Sequence, residues 1–153
     1  SIADIRRLVY ELRPPALDEL GLVAAIRQRA AQCALAESTE ENRNLRVEVD
    51  APEPLPPLPA AVEVAAYRIV EEALTNVVRH ASARICVVRL AIEEGSLCLE
   101  VADDGLGLPA ERTAGIGLLS MRERAAELGG ACTIESITTG GTQVLARLPL
   151  SGA

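Results

Sequence analysis

Glu72, Asn76 and His80 stand at positions i, i+4 and i+8, a spacing that places them on one face of a helix. A carboxylate and an amide oxygen on adjacent turns can hold a hard divalent cation, directly or through its waters. Arg79 beside His80 could meet an anion at the end of the same segment. The competing reading is a solvated helix edge closed by a histidine. A second group is Asp103-Asp104-Gly105-Leu106-Gly107, where an acidic residue leaves an apolar strand pattern and enters a Gly-x-Gly turn. Glycines allow close backbone approach, and an inward carboxylate at a strand end can accept a hydrogen bond from an exocyclic amine. An ordinary Asp/Gly turn fits the same residues. The third group, Gly115-Ile116-Gly117-Leu118, opens a helical pattern whose free N–H groups suit phosphate. Position 120 is Ser and a loop precedes the group, so the dinucleotide fingerprint is not met. Gly140-Gly141-Thr142, before a strand, is by itself a hairpin turn.

The elements that must carry these groups follow from periodicity. Ile2, Ile5, Val9 and Leu12 predict a helix over residues 2–13, stopped by Pro14-Pro15. Asp18 is a candidate cap for a second helix running through Leu22, Ile26 and Ala30 to about Ala36. Leu45, Val47 and Val49 alternate with charged residues, as in a half-buried strand. Prolines 52, 54, 56, 57 and 59 make a stiff surface connection to a long helix, about Ala60 to Arg79. Two strands, Ile85–Ile92 and Leu97–Ala102, are joined as a hairpin by Glu93-Glu94-Gly95-Ser96. A loop over 103–113 leads to a helix over Gly117–Leu128, ended by Gly129-Gly130. Two last strands cover Ala131–Ile137 and Gln143–Leu148. This order predicts an α/β arrangement with a largely antiparallel sheet and helices on one face.

The 153 residues suit one domain, and 49% apolar residues supply a core. The formal net charge is −7, and all 15 basic residues are Arg. Without Lys there is no P-loop, no strand lysine of the protein-kinase type and no Schiff base. The acidic balance, with Tyr10 and Tyr67 as the only aromatics, argues against nucleic acid as a partner. The four Cys form no CxxC pair, and His80 is the sole His, so they read as buried small hydrophobes in a reducing cytosol. No apolar run reaches the ~18 residues of a membrane span. The chain starts without Met inside a helical pattern, which suggests a piece of a longer protein.

In their joint order across residues 67–148, the four groups resemble the ATP-binding region of sensor histidine kinases, in the superfamily shared with gyrase, mismatch-repair ATPases and heat-shock chaperone ATPases. Glu72–His80 is similar to the N box, 103–107 to the D-x-G-x-G box, 115–118 to the G-x-G-L box and 140–142 to the final G-x-T element. Glu11–Leu22 resembles the junction between dimerisation helix and catalytic domain in kinases that partner helix-turn-helix response regulators. The resemblance implies a Bergerat-type α/β (α+β) sandwich, with residues 1–15 a remnant of the dimerisation helix and 16–150 the catalytic domain. It implies ATP and Mg²⁺ as ligands, and a response regulator and a homodimeric parent kinase as partners. It further implies that Asp103 accepts from the adenine amino group, backed by Thr142, with Gly105 and Gly107 beside the base. Asn76 would hold Mg²⁺, with Glu72 as second ligand or orienting a metal-bound water. Arg79 and His80 would help place phosphates, and Gly115, Gly117 and Leu118 would form the lid edge. Asp104, where the family often has Asn, has no implied role. His80 lies in the N box, so the phosphoacceptor His would be on a helix outside this sequence. The expected setting is the cytoplasm, with no membrane contact by this region. An anti-sigma-factor serine kinase and a docking module that binds nucleotide without turnover remain as alternatives.

Overall fold

The computed structural model describes residues 13–36, 45–81, 83–106 and 117–151. The expected helix over 2–13 therefore falls almost wholly outside the described residues. Two helices come first, α1 (Pro15–Leu20) and α2 (Leu22–Ala36), then strand β1 (Arg46–Asp50). Helix α3 (Ala60–Asn76) runs directly into a π turn over Val77–Ala81. The hairpin β2 (Ile85–Glu93) and β3 (Ser96–Asp103) follows, then α4 (Leu118–Glu127), β4 (Ala131–Ser136) and β5 (Thr142–Pro149).

Two local expectations are corrected. The second helix is divided at Gly21, whose φ of +82° turns the chain and whose N–H donates to the Leu17 carbonyl at 3.0 Å. Asp18 is not its cap. Pro14 precedes α1, and Asp18 sits in the first turn, bonded to Arg13 at 2.5 Å. Arg13 also reaches Glu63 on α3 at 3.0 Å, which ties the start of the described chain to the long helix.

The described strands form one five-stranded sheet in the order β1-β2-β3-β5-β4. Only β1 and β2 run parallel, with α3 as their crossover; the other pairs are antiparallel. The β2–β3 turn places Glu94 and Gly95 both at positive φ, the geometry a two-residue hairpin needs. Strand alternation then sorts the faces. Cys86, Val88 and Leu90 of β2, Leu97, Leu99 and Val101 of β3, and Val144, Ala146 and Leu148 of β5 are all buried. They join Val62, Ala66, Ile69, Val70, Ala73 and Leu74 of α3 and Leu118, Met121 and Ala125 of α4 in a single core. The result is a mixed, largely antiparallel sheet with its helices on one face, as expected. Among the described residues no helix is long and apolar enough to cross a membrane. All four Cys are free; three are buried and Cys98 is half-buried.

Candidate functional site

Two apolar stripes of the sheet end in polar residues. On β3 the inward positions are Leu97, Leu99, Val101 and then Asp103; on β5 they are Thr142, Val144, Ala146 and Leu148. Because β3 and β5 are antiparallel neighbours, with Ala102 opposite Gln143, Asp103 and Thr142 come together at one end of the core. Asp103 is only 6% exposed and Thr142 only 8%. Helix α3 crosses above them. Ile69, Ala73 and Asn76 follow helical spacing, so the apolar face of α3 ends in an amide where the strands end in a carboxylate and a hydroxyl.

Asn76, Asp103 and Thr142 line one small cavity, of about 20 Å³, whose other walls are Ala73, Val77, Val101, Leu118, Ile134 and Val144. Such a space holds about one water. The Thr142 hydroxyl oxygen is buried there without a hydrogen-bond partner. A buried polar atom left unpaired costs roughly 1–3 kcal/mol, and a water or a ligand atom in the cavity would supply the partner. Larger grooves, about 460 Å³ on the outer sheet face and about 510 Å³ beside the proline stretch, hold no such atom among the described residues, whereas a groove of about 270 Å³ between α3 and α4 borders the unpaired Nη1 of Arg13.

The carboxylate is held as well as buried. Asp103 Oδ1 accepts from the N–H of Gly105 at 2.8 Å. Burial pushes the Asp103 carboxyl above its usual range, against the pull of the Gly105 and Thr142 N–H groups, and the neighbouring Asp104 adds to the rise. Cys86, opposite Asp103 on β2, is a fully buried thiol pushed up to about 12 by burial first and by Asp103 second. It is inert packing, as the scattered cysteines suggested.

Two glycines set clearances. Gly141 has φ +101°, and a Cβ there would stand 1.8 Å from the Asp103 carbonyl oxygen. The Gly-Gly-Thr turn therefore lies directly on the Asp103 backbone. Gly117 has φ +76°, and a Cβ there would stand 1.9 Å from Glu72 Oε1. The start of α4 thus abuts the Glu72 carboxylate, with Leu118 sealing the cavity beside it. Asp104, whose role the sequence left open, turns its carboxylate to the start of β2. Its Oδ1 accepts from the N–H groups of Arg84 at 2.8 Å and Ile85 at 3.0 Å.

The structure gathers Asn76, Asp103, Thr142 and Leu118 around the cavity, with Glu72 and Gly117 in contact beside it and Gly105 bonded to Asp103. Arg79 is exposed, in the π turn, and does not line the cavity. The His80 side chain, Gly107 and Gly115 lie outside the described residues. Sequence reasoning missed the π turn, a feature frequent at functional sites, which widens the helix just after Asn76. It also left open what Asp104 does, which is to accept the N–H groups of Arg84 and Ile85. Among the described residues no three His, Cys, Asp or Glu side chains converge on a metal site.

Residues 61–152 match the family model described as Histidine kinase-, DNA gyrase B-, and HSP90-like ATPase. The chain belongs to this family. It is 35% identical over 156 residues to the sensor histidine kinase MctS of Rhizobium johnstonii, covering 99% of this chain and 32% of that protein. It is 37% identical over 146 residues to the histidine-protein kinase/phosphatase UhpB of Salmonella typhimurium, covering 95% and 28%. The chain thus spans about a third of the length of these curated relatives. Among solved structures, the histidine kinase domain of the Erythrobacter litoralis EL346 blue-light activated kinase superposes with a TM-score of 0.70 at 25% identity, covering 84% of this chain and 61% of that one. Within the ATPase family, the resemblance is therefore to sensor histidine kinases over essentially the whole sequence.

Proposed function

We propose that this chain is the nucleotide-binding catalytic domain of a two-component sensor histidine kinase. It binds Mg·ATP and presents the γ-phosphoryl to a histidine on a dimerisation helix outside residues 16–150, for relay to a response regulator. The observation that carries the reading is the cavity where a buried carboxylate and an unpaired buried hydroxyl meet between aliphatic walls. Asp103 accepts from the exocyclic amine of adenine. The Thr142 hydroxyl supplies a second polar contact beside it. Ala73, Val77, Ile134 and Val144 face the ring, since no aromatic side chain is available there. An adenine ring enters only when Leu118 and the start of α4 move outward, and the left-handed Gly117 is the point at which that helix can turn.

Asn76 and Glu72 are the oxygens on α3 that would hold Mg²⁺ or its waters. When bound, the ion neutralises charge on the phosphates. The chain's own part is positioning: it aligns the γ-phosphorus with the incoming imidazole nitrogen, which forms the new N–P bond as the bond to ADP breaks. No Lys meets the phosphates, so backbone N–H groups near Gly115–Leu118, with Arg79 and His80, are the candidates for that task. Residues 1–15 are the end of the dimerisation helix in this reading, the parent is a homodimer, and the domain works in the cytoplasm, where ATP is.

Calorimetry with ATP, ADP and GTP, with and without Mg²⁺, tests the reading. Adenine selectivity with a gain on adding Mg²⁺ supports it, and no binding of any nucleotide overturns it. In a longer chain containing the upstream helices, acid-labile label on a histidine supports the kinase role over the alternatives. Label on a serine of a partner supports the serine kinase, and binding without turnover supports the docking module.

A further inference from the structure

Asp103 and Asp104 are neighbours with opposite employment. Asp103 faces the cavity. Asp104 is exposed, and its Oδ1 receives two backbone N–H groups, from Arg84 at 2.8 Å and Ile85 at 3.0 Å. Its own N–H donates to the Ile85 carbonyl at 3.3 Å. Arg84 is in turn joined to β1, since its carbonyl accepts from the Arg46 N–H at 2.8 Å. Arg84 also follows closely on the π turn that ends at Ala81, the last part of the helix bearing Glu72 and Asn76. We propose that Asp104 is a positioning residue: by fastening the 103–105 turn to the first residues of β2, it fixes the distance between the Asp103 end of the site and the Asn76 end. This role rests on the function proposed above.

The physical case is one of shared attachment. Asp103 Oδ1 is bonded to the Gly105 N–H, so the turn and the base-facing carboxylate move as one body. Gly141 blocks that body on one side, against the Asp103 carbonyl. Asp104 holds it on the other. Hydrogen bonds to an ionised acceptor are about twice as strong as neutral ones. Without them, the turn keeps the ladder pair of Asp103 with Cys86 and one backbone bond of 3.3 Å from the Asp104 N–H to Ile85. A ligand that touches only the base end tolerates a shifted turn. A ligand that must touch both ends does not, because one of its contacts is then stretched or lost, and a lost hydrogen bond to a charged group is worth roughly tenfold or more in affinity.

The test uses the 153-residue chain, a non-hydrolysable ATP analogue with Mg²⁺, and ADP without Mg²⁺. Asp104→Ala should weaken the Mg²⁺-dependent binding of the analogue by roughly tenfold or more, while Mg²⁺-free ADP stays within about threefold. Hydrogen exchange at the Arg84 and Ile85 amides should quicken. Asp104→Asn, which keeps an acceptor oxygen without the charge, should recover part of both readings and fall between wild type and Asp104→Ala. If Asp104→Ala does not fold, Asp104→Glu replaces it, since the longer side chain keeps the charge but misplaces the oxygen, and the same losses are expected. Equal weakening of both ligands would show a general loss of structure and overturn the role. So would unchanged analogue affinity, or failure of the Asn variant to rescue. A wild-type chain that binds neither ligand overturns the proposed function itself, and this role with it.

Discussion

Asp103→Asn separates the cost of burying a charge from its use. In the wild type the carboxylate is 6% exposed, and one oxygen is already taken by the Gly105 N–H. Asn can keep that bond through its own oxygen, which turns the NH₂ group toward the cavity. An adenine amino group then meets a donor where it needs an acceptor. The lost hydrogen bond to a charged group is worth ~1.5–3 kcal/mol, and leaving buried donors unpaired adds ~1–3 kcal/mol. The sum, about 2.5–6 kcal/mol, is a loss of roughly sixtyfold to twenty-thousandfold in ATP affinity. Stability should move the other way. Burial holds the Asp103 carboxyl above its ordinary value, so the folded state disfavours its ionised form. The associated stability is present below the ordinary carboxyl range and is lost as pH rises through the raised value. At neutral pH the neutral amide escapes that penalty. Calorimetry should therefore find ATP binding weakened by roughly sixtyfold or more in a protein that melts at or above the wild-type temperature. ATP affinity within threefold of wild type would refute the reasoning; a large drop in melting temperature would refute its electrostatic half.

Asn76→Ala should remove the gain in nucleotide affinity on adding Mg²⁺ while leaving Mg²⁺-free ADP binding in place; an equal Mg²⁺ gain in both proteins contradicts the metal assignment. Gly117→Ala should cost ~1–2 kcal/mol for the left-handed backbone, plus the contact with Glu72. In urea melts its loss should shrink when Glu72 is also Ala, and strictly additive losses would show that the contact is unimportant. Gly141→Ala meets a backbone oxygen that cannot swing aside, so a loss of about 2–4 kcal/mol and weaker ATP binding are expected together. Asp104 titrates opposite to Asp103. The Ile85 and Arg84 N–H groups hold its carboxyl below the usual range, so it stabilises the fold above that range and the benefit is lost as pH falls through the depressed value. In acid titrations the stability gap between wild type and Asp104→Ala should close, and a gap unchanged with pH would contradict the bonds.

The sequence carried most of the site because the site terminates regular patterns. Period-two alternation brings Asp103 and Thr142 to the inward ends of their strands, and helical spacing brings Asn76 to the end of the α3 face. Other features depend on contacts that a linear pattern does not encode. Strand order β1-β2-β3-β5-β4 with a parallel first pair is a property of the crossover, on which periodicity is silent. The division at Gly21 was hidden by apolar residues that continue across it, Leu17 and Leu22 both being buried. The bonds of Asp104 join residues about twenty apart in sequence, and the Arg13–Glu63 pair joins residues fifty apart. Glu72 and Gly117 were both read as site residues, but their mutual contact appears only when α4 is laid against α3.

Thermal melting in ATP against GTP asks whether the Asp103 cavity selects adenine in a Mg²⁺-assisted complex. At a ligand concentration a hundred times its Kd, a site specific to the folded state adds about 2.7 kcal/mol, or roughly 5–10 °C for a domain of this size. With Mg²⁺, ATP should give such a shift. GTP should give little, because guanine sets a carbonyl where adenine has its amino group and so opposes one acceptor to another. Equal shifts with the two nucleotides, or no shift with ATP and Mg²⁺, would contradict the account.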